Sequence, residues 1–268
     1  QGYGPVKSWL NKFLLKLTLN SVNLITVRDE PSFKNMLKNG INKPPMIISS
    51  DPAFLLKSTS NNEILIKESL HLNNKPILGV SVRKLISKYD KFYEKLAAAL
   101  DFIIEKHDVQ IIFIPFQLPD DAEESFKIAN QMKNKANLIT GSYSPGEILA
   151  FMESVNFLIG VRLHSLIFAS LAKVPMIGID YDPKVSSLME ELGVCCIGTD
   201  FKPEELLNAF ENLKKNETSA IQVLNEKTTL LKQKAKLSFD SFFEYCDIEK
   251  EVYLFGVKIN NVTMKSAI

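Results

Sequence analysis

The sequence has few of the residues from which disulfide or metal frameworks are built: three cysteines and three histidines in 268 residues. Cys195 and Cys196 are adjacent and Cys246 stands apart, so no disulfide framework is available, and a reducing, cytoplasmic compartment is expected. His71, His107 and His164 are scattered without zinc-ligand spacing. An excess of charge of either sign is also missing, with 32 basic against 31 acidic residues and a net +1. A protein that lives on nucleic acid carries a strong basic surplus, so no nucleic-acid partner is expected. No run reaches the roughly 18 uninterrupted apolar residues that span a bilayer. The nearest, 157–172, is broken by Arg162 and His164. No signal-peptide pattern follows Gln1, and the chain reads as a piece of something longer. What is present is apolar content of 46%, too high for a disordered chain and sufficient for a sizeable core.

Two regimes follow one another along the chain. Residues 6–20 place Trp9, Leu10, Phe13, Leu14 and Leu17 at helical spacing beside Lys7, Lys12 and Lys16 with no acid. That is an amphipathic helix, packed on its own domain or facing anionic lipid or a lipid-linked substrate. A strand at 22–27, a helix at 31–38 closed by Gly40 and a strand at 46–49 complete a first segment, 1–56. Residues 57–75 are polar and weakly patterned and read as a linker. From 76 to 200, strands alternate with helices of 10–15 residues: strands at 76–82, 109–115, 137–140, 157–161, 175–179 and 195–197, and helices at 89–106, 120–134, 145–154, 163–173 and 183–192. This predicts an α/β domain, a Rossmann-like parallel sheet with helices on both faces. Ser144-Pro145-Gly146-Glu147 is a capping box, Asp182-Pro183 another helix start, and Asp120 and Asp121 open a third. Helices at 203–215 and 218–245 fill a C-terminal segment, 201–246, and 247–268 follows as a further linker.

Ligands of such sheets bind beyond the carboxyl ends of the strands, and four cationic stretches fall there. Arg162 ends the strand 157–161 and His164 sits in the first turn of the next helix, where dipole and free N–H groups favour an anion. A cation between two apolar runs is costly without a partner, which points to function, although an Arg satisfying carbonyls would explain it too. Lys184 follows the next strand in Asp180-Tyr181-Asp182-Pro183-Lys184. Arg83 ends the strand 76–82, and Arg28 lies in Thr26-Val27-Arg28-Asp29-Glu30, where a surface pair with Asp29 or Glu30 is the alternative. Gln117 is a weaker polar candidate. His71 and His107 read as loop and helix-end residues, and Cys246 as a helix-packing thiol. The cluster Arg162, His164, Lys184, Arg83 and Arg28 suits a small, multiply charged anion. No carboxylate dyad, metal cluster or Ser-His-Asp order competes with it.

At this cluster a resemblance becomes specific. Gly160-Val161-Arg162-Leu163-His164-Ser165-Leu166-Ile167-Phe168-Ala169, with Val174-Pro175 and Ile179-Asp180-Tyr181-Asp182-Pro183-Lys184-Val185, resembles the polysaccharide pyruvyl transferase family, and most of all its cell-surface anchoring branch. Gln1-Gly2-Tyr3-Gly4-Pro5, Val27-Arg28-Asp29-Glu30, Asp51-Pro52-Ala53 and Ser81-Val82-Arg83 follow the same family in the same order. The resemblance covers about 1–245. It implies a glycosyltransferase-B-like two-lobed fold with the first lobe truncated, since the family begins roughly a hundred residues earlier. It implies transfer of a pyruvyl group from phosphoenolpyruvate to two hydroxyls of a sugar, leaving a cyclic ketal and phosphate. The acceptor implied is N-acetylmannosamine of a lipid-linked or polymeric cell-wall polysaccharide, whose ketal surface-layer homology domains bind. Peripheral contact with the inner membrane face is expected with it. By matching motif, Arg28, His164 and Lys184 resemble donor-binding or catalytic positions, Arg162 is the Arg of the Arg-Leu-His motif, and Arg83 is a looser match. Phosphoenolpyruvate carries nearly three negative charges, so several cations must hold it. His164 serves as general acid or as phosphate contact, and Arg162 and Lys184 stabilise charge on the carboxylate and leaving phosphate. The family needs no nucleotide and nothing demands a metal.

Residues 251–264 resemble instead the opening strand and turn of a teichoic-acid-type N-acetylmannosaminyltransferase. A fused or neighbouring domain of that kind is therefore an expected partner, and a strand completing the fold is the alternative. Two other readings compete with pyruvyl transfer. A nucleotide-sugar glycosyltransferase or epimerase would need a Gly-rich turn and an acid for the ribose, for which Gly141-Ser142 and Glu147 are the candidates. An inactive fragment or binding module is the third reading.

Overall fold

A computed structural model describes residues 2–4, 6, 8–59, 63–70, 74–85 and 91–246. The expected start of a second transferase at 247–268, together with His71, Lys7, Pro5 and Gln1, lies outside the described residues. The chain divides into two compact units, 1–56 with 229–268, and 57–228.

The first unit contains α1 (Trp9–Leu19), β1 (Ile25–Val27), α2 (Glu30–Lys38), β2 (Met46–Ile48) and a 3-10 turn (Pro52–Leu55). β1 and β2 pair in parallel, and Ile25, Val27, Met36 and Ile41 form a small core between them and α2. Asp29 caps α2 by accepting from Ser32 N. Gly40, at φ +72°, takes the left-handed turn that ends it. The expected amphipathic helix is present as α1: Leu19 packs against this core, while Trp9, Leu10, Phe13, Leu14 and Leu17 are exposed, Trp9 by 76%.

The second unit opens with α3 (Ile64–Lys67) and continues β3 (Ile77–Ser81), α4 (Phe92–His107), β4 (Gln110–Phe113), α5 (Asp120–Ala129), β5 (Asn137–Leu138), α6 (Pro145–Met152), β6 (Phe157–Gly160), α7 (Leu163–Leu171), β7 (Met176–Asp180), α8 (Pro183–Leu192), β8 (Cys196–Gly198) and α9 (Pro203–Lys215). The six strands form one parallel sheet in the order β5-β4-β3-β6-β7-β8. Numbered within the unit, that is 3-2-1-4-5-6, the doubly wound arrangement with its topological switch between β3 and β6. Alternation sets the layers. Leu78, Val80, Val82, Ile159 and Val161 face one core with Leu96 and Leu100 of α4 and Phe210 of α9. On β6, Gly160 is required by the other layer, because a Cβ there would lie 2.7 Å from Leu166 Cδ2 and 2.9 Å from Ser165 Oγ. α7 thus rests directly on the sheet beside the switch point.

Two segment assignments need correction. Residues 57–75 are not a bare linker: Ile64 is wholly buried and Thr59 N donates to Gly146 O, so this stretch packs into the second unit. Nor do residues 201–246 form a segment of their own. In α10 (Glu217–Tyr245), Leu224 and Thr228 are buried with the second unit, and the Thr228 hydroxyl donates to Ser170 O. Its later turns join the first unit, where the Ser50 hydroxyl donates to Leu231 O at 2.6 Å. A polar, periodic helix shows where its apolar residues lie but not which core they enter.

Candidate functional site

The switch point collects the cations of the second unit. Ser81 and Gly160 are neighbours in register across β3 and β6, so the chain leaves the sheet toward Arg83 and toward Arg162 side by side. β7 is the next strand after β6, and its exit carries Tyr181 and Lys184. Arg83 Nη1 donates to the Tyr181 hydroxyl, and its guanidinium carbon lies 4.7 Å from the centre of the Tyr181 ring. Lys184 Nζ lies 5.8 Å from the same centre. Since β6 runs between β3 and β7, the Arg83–Tyr181 contact passes across the end of β6. One aromatic ring therefore holds two of the expected cations together through its negative face. Sequence reasoning quoted Tyr181 without giving it this role.

Arg162 is placed as expected at the exit of β6, but the reason given for its function changes. Its Nε and Nη2 donate to Asp121 Oδ1, the former at 3.1 Å. Asp121 is fully buried, and its other oxygen accepts from Phe116 N and Gln117 N at 3.1 and 2.9 Å. The cation between apolar runs thus has a buried counter-ion, and its burial by itself does not demand a ligand. Asp121 does not cap α5 either, because it turns back to lock the β4 exit loop. Gln117, the weaker candidate, enters this arrangement through its backbone N–H.

Arg162 occupies the N-cap of α7, and its side chain makes no cap hydrogen bond there. The N–H groups at that end, beside the switch point, favour an anion. His164 is the second residue of α7 and is exposed. On α8 the corresponding end is already used, with Asp182 accepting from Lys184 N and its Oδ2 lying 3.5 Å from Lys184 Nζ. The two helix starts therefore differ: the N-cap side chain caps α8 and not α7.

In the first unit, Arg28 pairs with Asp29 and with Asp51, both at 3.1 Å, and not with Glu30. Asp51 also caps the 3-10 turn through Ala53 N. A Cβ on Gly2 would lie 2.8 Å from the guanidinium, and Tyr3 N donates to Ser32 Oγ. The motifs around Gly2-Tyr3, Arg28-Asp29 and Asp51-Pro52 thus converge on one arginine.

The residues considered for a nucleotide edge are engaged otherwise. Glu147 completes the capping box with Ser144 and reaches Lys67. Glu68 accepts from Gly141 N at 2.6 Å, from Thr140 N and Oγ1, and from the Tyr143 hydroxyl. Burial pushes the Glu68 carboxyl upward, but these hydrogen bonds outweigh it and hold it below its ordinary value. The same contact and burial push the Tyr143 phenol up to about 12. Burial, with Asp180 and Cys195 nearby, drives the Cys196 thiol up to about 11, which disfavours a thiolate nucleophile. Cys246 is exposed and not a packing thiol. His107 ends α4 as expected, edge-on to Phe210. A cavity of about 230 Å³ lined by Pro175, Met176, Cys195, Asn212 and Val223 opens at the amino end of β7, the edge opposite the cations.

The sequence profile described as polysaccharide pyruvyl transferase matches residues 1–183. The chain is 22% identical over 216 residues to the amylovoran biosynthesis protein AmsJ of Erwinia amylovora, covering 74% of this chain and 52% of that protein. It therefore spans about half the length of that curated relative. Among solved structures it is similar to a putative UDP-N-acetylglucosamine 2-epimerase of Listeria monocytogenes (TM-score 0.64, 13% identity, 91% of this chain and 64% of that one). It is also similar to the UDP-GlcNAc 2-epimerase of Neisseria meningitidis bound to UDP-GlcNAc (0.61, 10%, 80% and 60%) and to Anabaena HepE in complex with UDP-glucose (0.59, 13%, 89% and 68%). At these identities the likeness concerns the fold, which is that of glycosyltransferase-B enzymes and epimerases.

Two outcomes are expected. Asp121→Ala strands the Arg162 charge and should lower stability by about 3 kcal/mol, the low end for a broken buried pair because Arg162 keeps some solvent contact. Asp121→Leu combined with Arg162→Met should recover most of it in urea unfolding. Because the folded Glu68 pKa lies below its free value, its tie is complete above about pH 4.3 and is lost as pH falls through the lower folded value. Glu68→Gln should therefore cost about 1 kcal/mol at pH 7, allowing for solvent screening, and progressively less as pH falls below the ordinary carboxylate range.

Proposed function

Because the chain belongs to the polysaccharide pyruvyl transferase family, we propose that its second unit binds phosphoenolpyruvate for transfer of a pyruvyl group to a sugar in polysaccharide biosynthesis. The observation that carries this reading is the meeting of Arg83, Lys184 and Arg162 with the start of α7 at one switch point. A ligand with both a carboxylate and a phosphate matches such a set. The helix N-terminus and Lys184 suit the phosphate, and guanidinium groups suit a planar carboxylate. Arg28 is a further donor contact in this proposal, on the strength of its motif.

In the reaction, one acceptor hydroxyl oxygen adds to C2 of the enolpyruvyl group and gives up its proton, while one proton is delivered to the C3 methylene, which becomes a methyl, so that no net proton is taken up. The second hydroxyl then displaces phosphate from C2 and closes the ketal, its proton leaving with the phosphate. His164, exposed on the first turn of α7, supplies the C3 proton or contacts the phosphate. An imidazole does either near neutral pH. Lys184 and Arg162 stabilise the departing charge. No nucleotide or metal enters these steps. The acceptor proposed is N-acetylmannosamine of a lipid-linked or polymeric cell-wall polysaccharide, as in the surface-anchoring branch, with the enzyme at the cytoplasmic face of the membrane. The lysine-bearing apolar face of α1 is in keeping with that location. Similarity to a protein named for amylovoran biosynthesis supports the polysaccharide context.

The test is calorimetric titration with phosphoenolpyruvate and, as counter-ligand, a UDP-sugar. Arg162→Ala is a poor control, since it uncovers the buried Asp121. Lys184 is partly exposed, and Lys184→Ala should weaken phosphoenolpyruvate binding about tenfold with little loss of stability, the scale of one charge-assisted contact. Binding of the UDP-sugar in place of phosphoenolpyruvate would overturn the proposal.

A further inference from the structure

The exit of β3 contains two buried polar atoms without a hydrogen-bond partner among the described residues. Ser81 is fully buried, and its Oγ has no hydrogen-bond partner among the described residues. Two residues on, the buried Nε of Arg83 has none either. Native interiors leave few such groups, and each calls for a reason. Two at one strand end, at the switch point of a doubly wound sheet, have a common one.

Alternation places Ser81 on the face opposite Leu78, Val80 and Val82, which enter the α4–α9 core. Its neighbour across the ladder is Gly160, which has no side chain to meet the hydroxyl. A Cβ on Gly160 would strike Ser165 and Leu166, so the first turn of α7 lies over this part of the sheet. The Ser165 hydroxyl is already committed to Arg162 O at 2.7 Å. Arg83 is held by its other end: Nη1 donates to Tyr181 and the guanidinium stacks on that ring. The Nε–H is thus fixed in direction and left over.

We infer that the Ser81 hydroxyl and Arg83 Nε–H form the carboxylate subsite of the donor site, next to a phosphate subsite at the α7 N-terminus and Lys184. The inference rests on the phosphoenolpyruvate reading above and adds to it two donors that share one planar anion. Tyr181 acts as a positioning residue, orienting Arg83 without touching the ligand.

The experiment compares calorimetric affinities of the intact chain and its Ser81→Ala variant for phosphoenolpyruvate and inorganic phosphate. Alanine removes only the unpaired hydroxyl, so the melting temperature should hold or rise. Phosphoenolpyruvate affinity should fall roughly 10- to 100-fold, as for a lost hydrogen bond to a charged group, while phosphate affinity stays the same. Arg83→Lys, which keeps the charge and loses Nε–H, should behave alike. Unchanged phosphoenolpyruvate affinity in Ser81→Ala, or an equal loss for phosphate, overturns the subsite alone. Absence of phosphoenolpyruvate binding in the unaltered chain overturns the donor reading and the subsite together.

Discussion

The carboxylate of Asp121 is the constraint on which the site depends. With no exposed surface, it must be fully satisfied, and it is: two backbone N–H groups of the β4 exit loop on one oxygen and the Arg162 guanidinium on the other. A buried charge of this kind is tolerable only with its partner in place, so the pair fixes the β4 exit, the start of α5 and the entrance to α7 as one arrangement. Everything proposed for the switch point assumes that α7 begins where it does, with Arg162 at its N-cap.

Around that anchor the remaining cations are held by softer means. Tyr181 holds Arg83 and Lys184 by its ring and hydroxyl, while Asp182 spends its carboxylate on α8. The consequence is an asymmetry between neighbouring helix starts, α8 capped by its N-cap side chain and α7 not. In the other unit, Arg28 sits between Asp29 and Asp51, each of which also caps a turn. There, too, one arginine is the point on which separated motifs converge. The fold is shared with nucleotide-sugar enzymes, and fold alone does not choose among activities. Gly141 N and Glu147, the candidates for a nucleotide edge, are engaged by Glu68 and by the α6 capping box.

Much of the sheet was legible because buried parallel strands announce themselves. The runs ending at Ser81, Phe113, Gly160 and Asp180 are apolar and alternate with helices, some of them capped, as at Ser144-Pro145-Gly146-Glu147. Arg83, Arg162 and Lys184 were findable for the same reason, since strand exits are where such sheets bind ligands. What escaped was every pairing across long sequence separation. Asp121 looked like a helix opener because its partner stands 41 positions away, and Tyr181 had no role of its own because Arg83 is 98 away. The segment at 57–75 looked like a linker, because one buried Ile64 and one Glu68 give no periodic pattern. Ser81 appeared only as a member of the Ser81-Val82-Arg83 motif: a serine ending a strand shows no role until its hydroxyl is found enclosed.

The central claim is that an anion with a carboxylate and a phosphate sits at the β3–β6 switch point under the α7 N-terminus. The most direct test is to follow backbone amide and arginine Nε resonances by NMR while phosphoenolpyruvate is added. The account predicts shifts concentrated at Leu163 and His164 amides and at Arg83 Nε, with the amides of Thr140 to Glu147 undisturbed. Shifts confined to Thr140–Glu147, or produced there by a UDP-sugar while phosphoenolpyruvate produces none at Leu163, would contradict it.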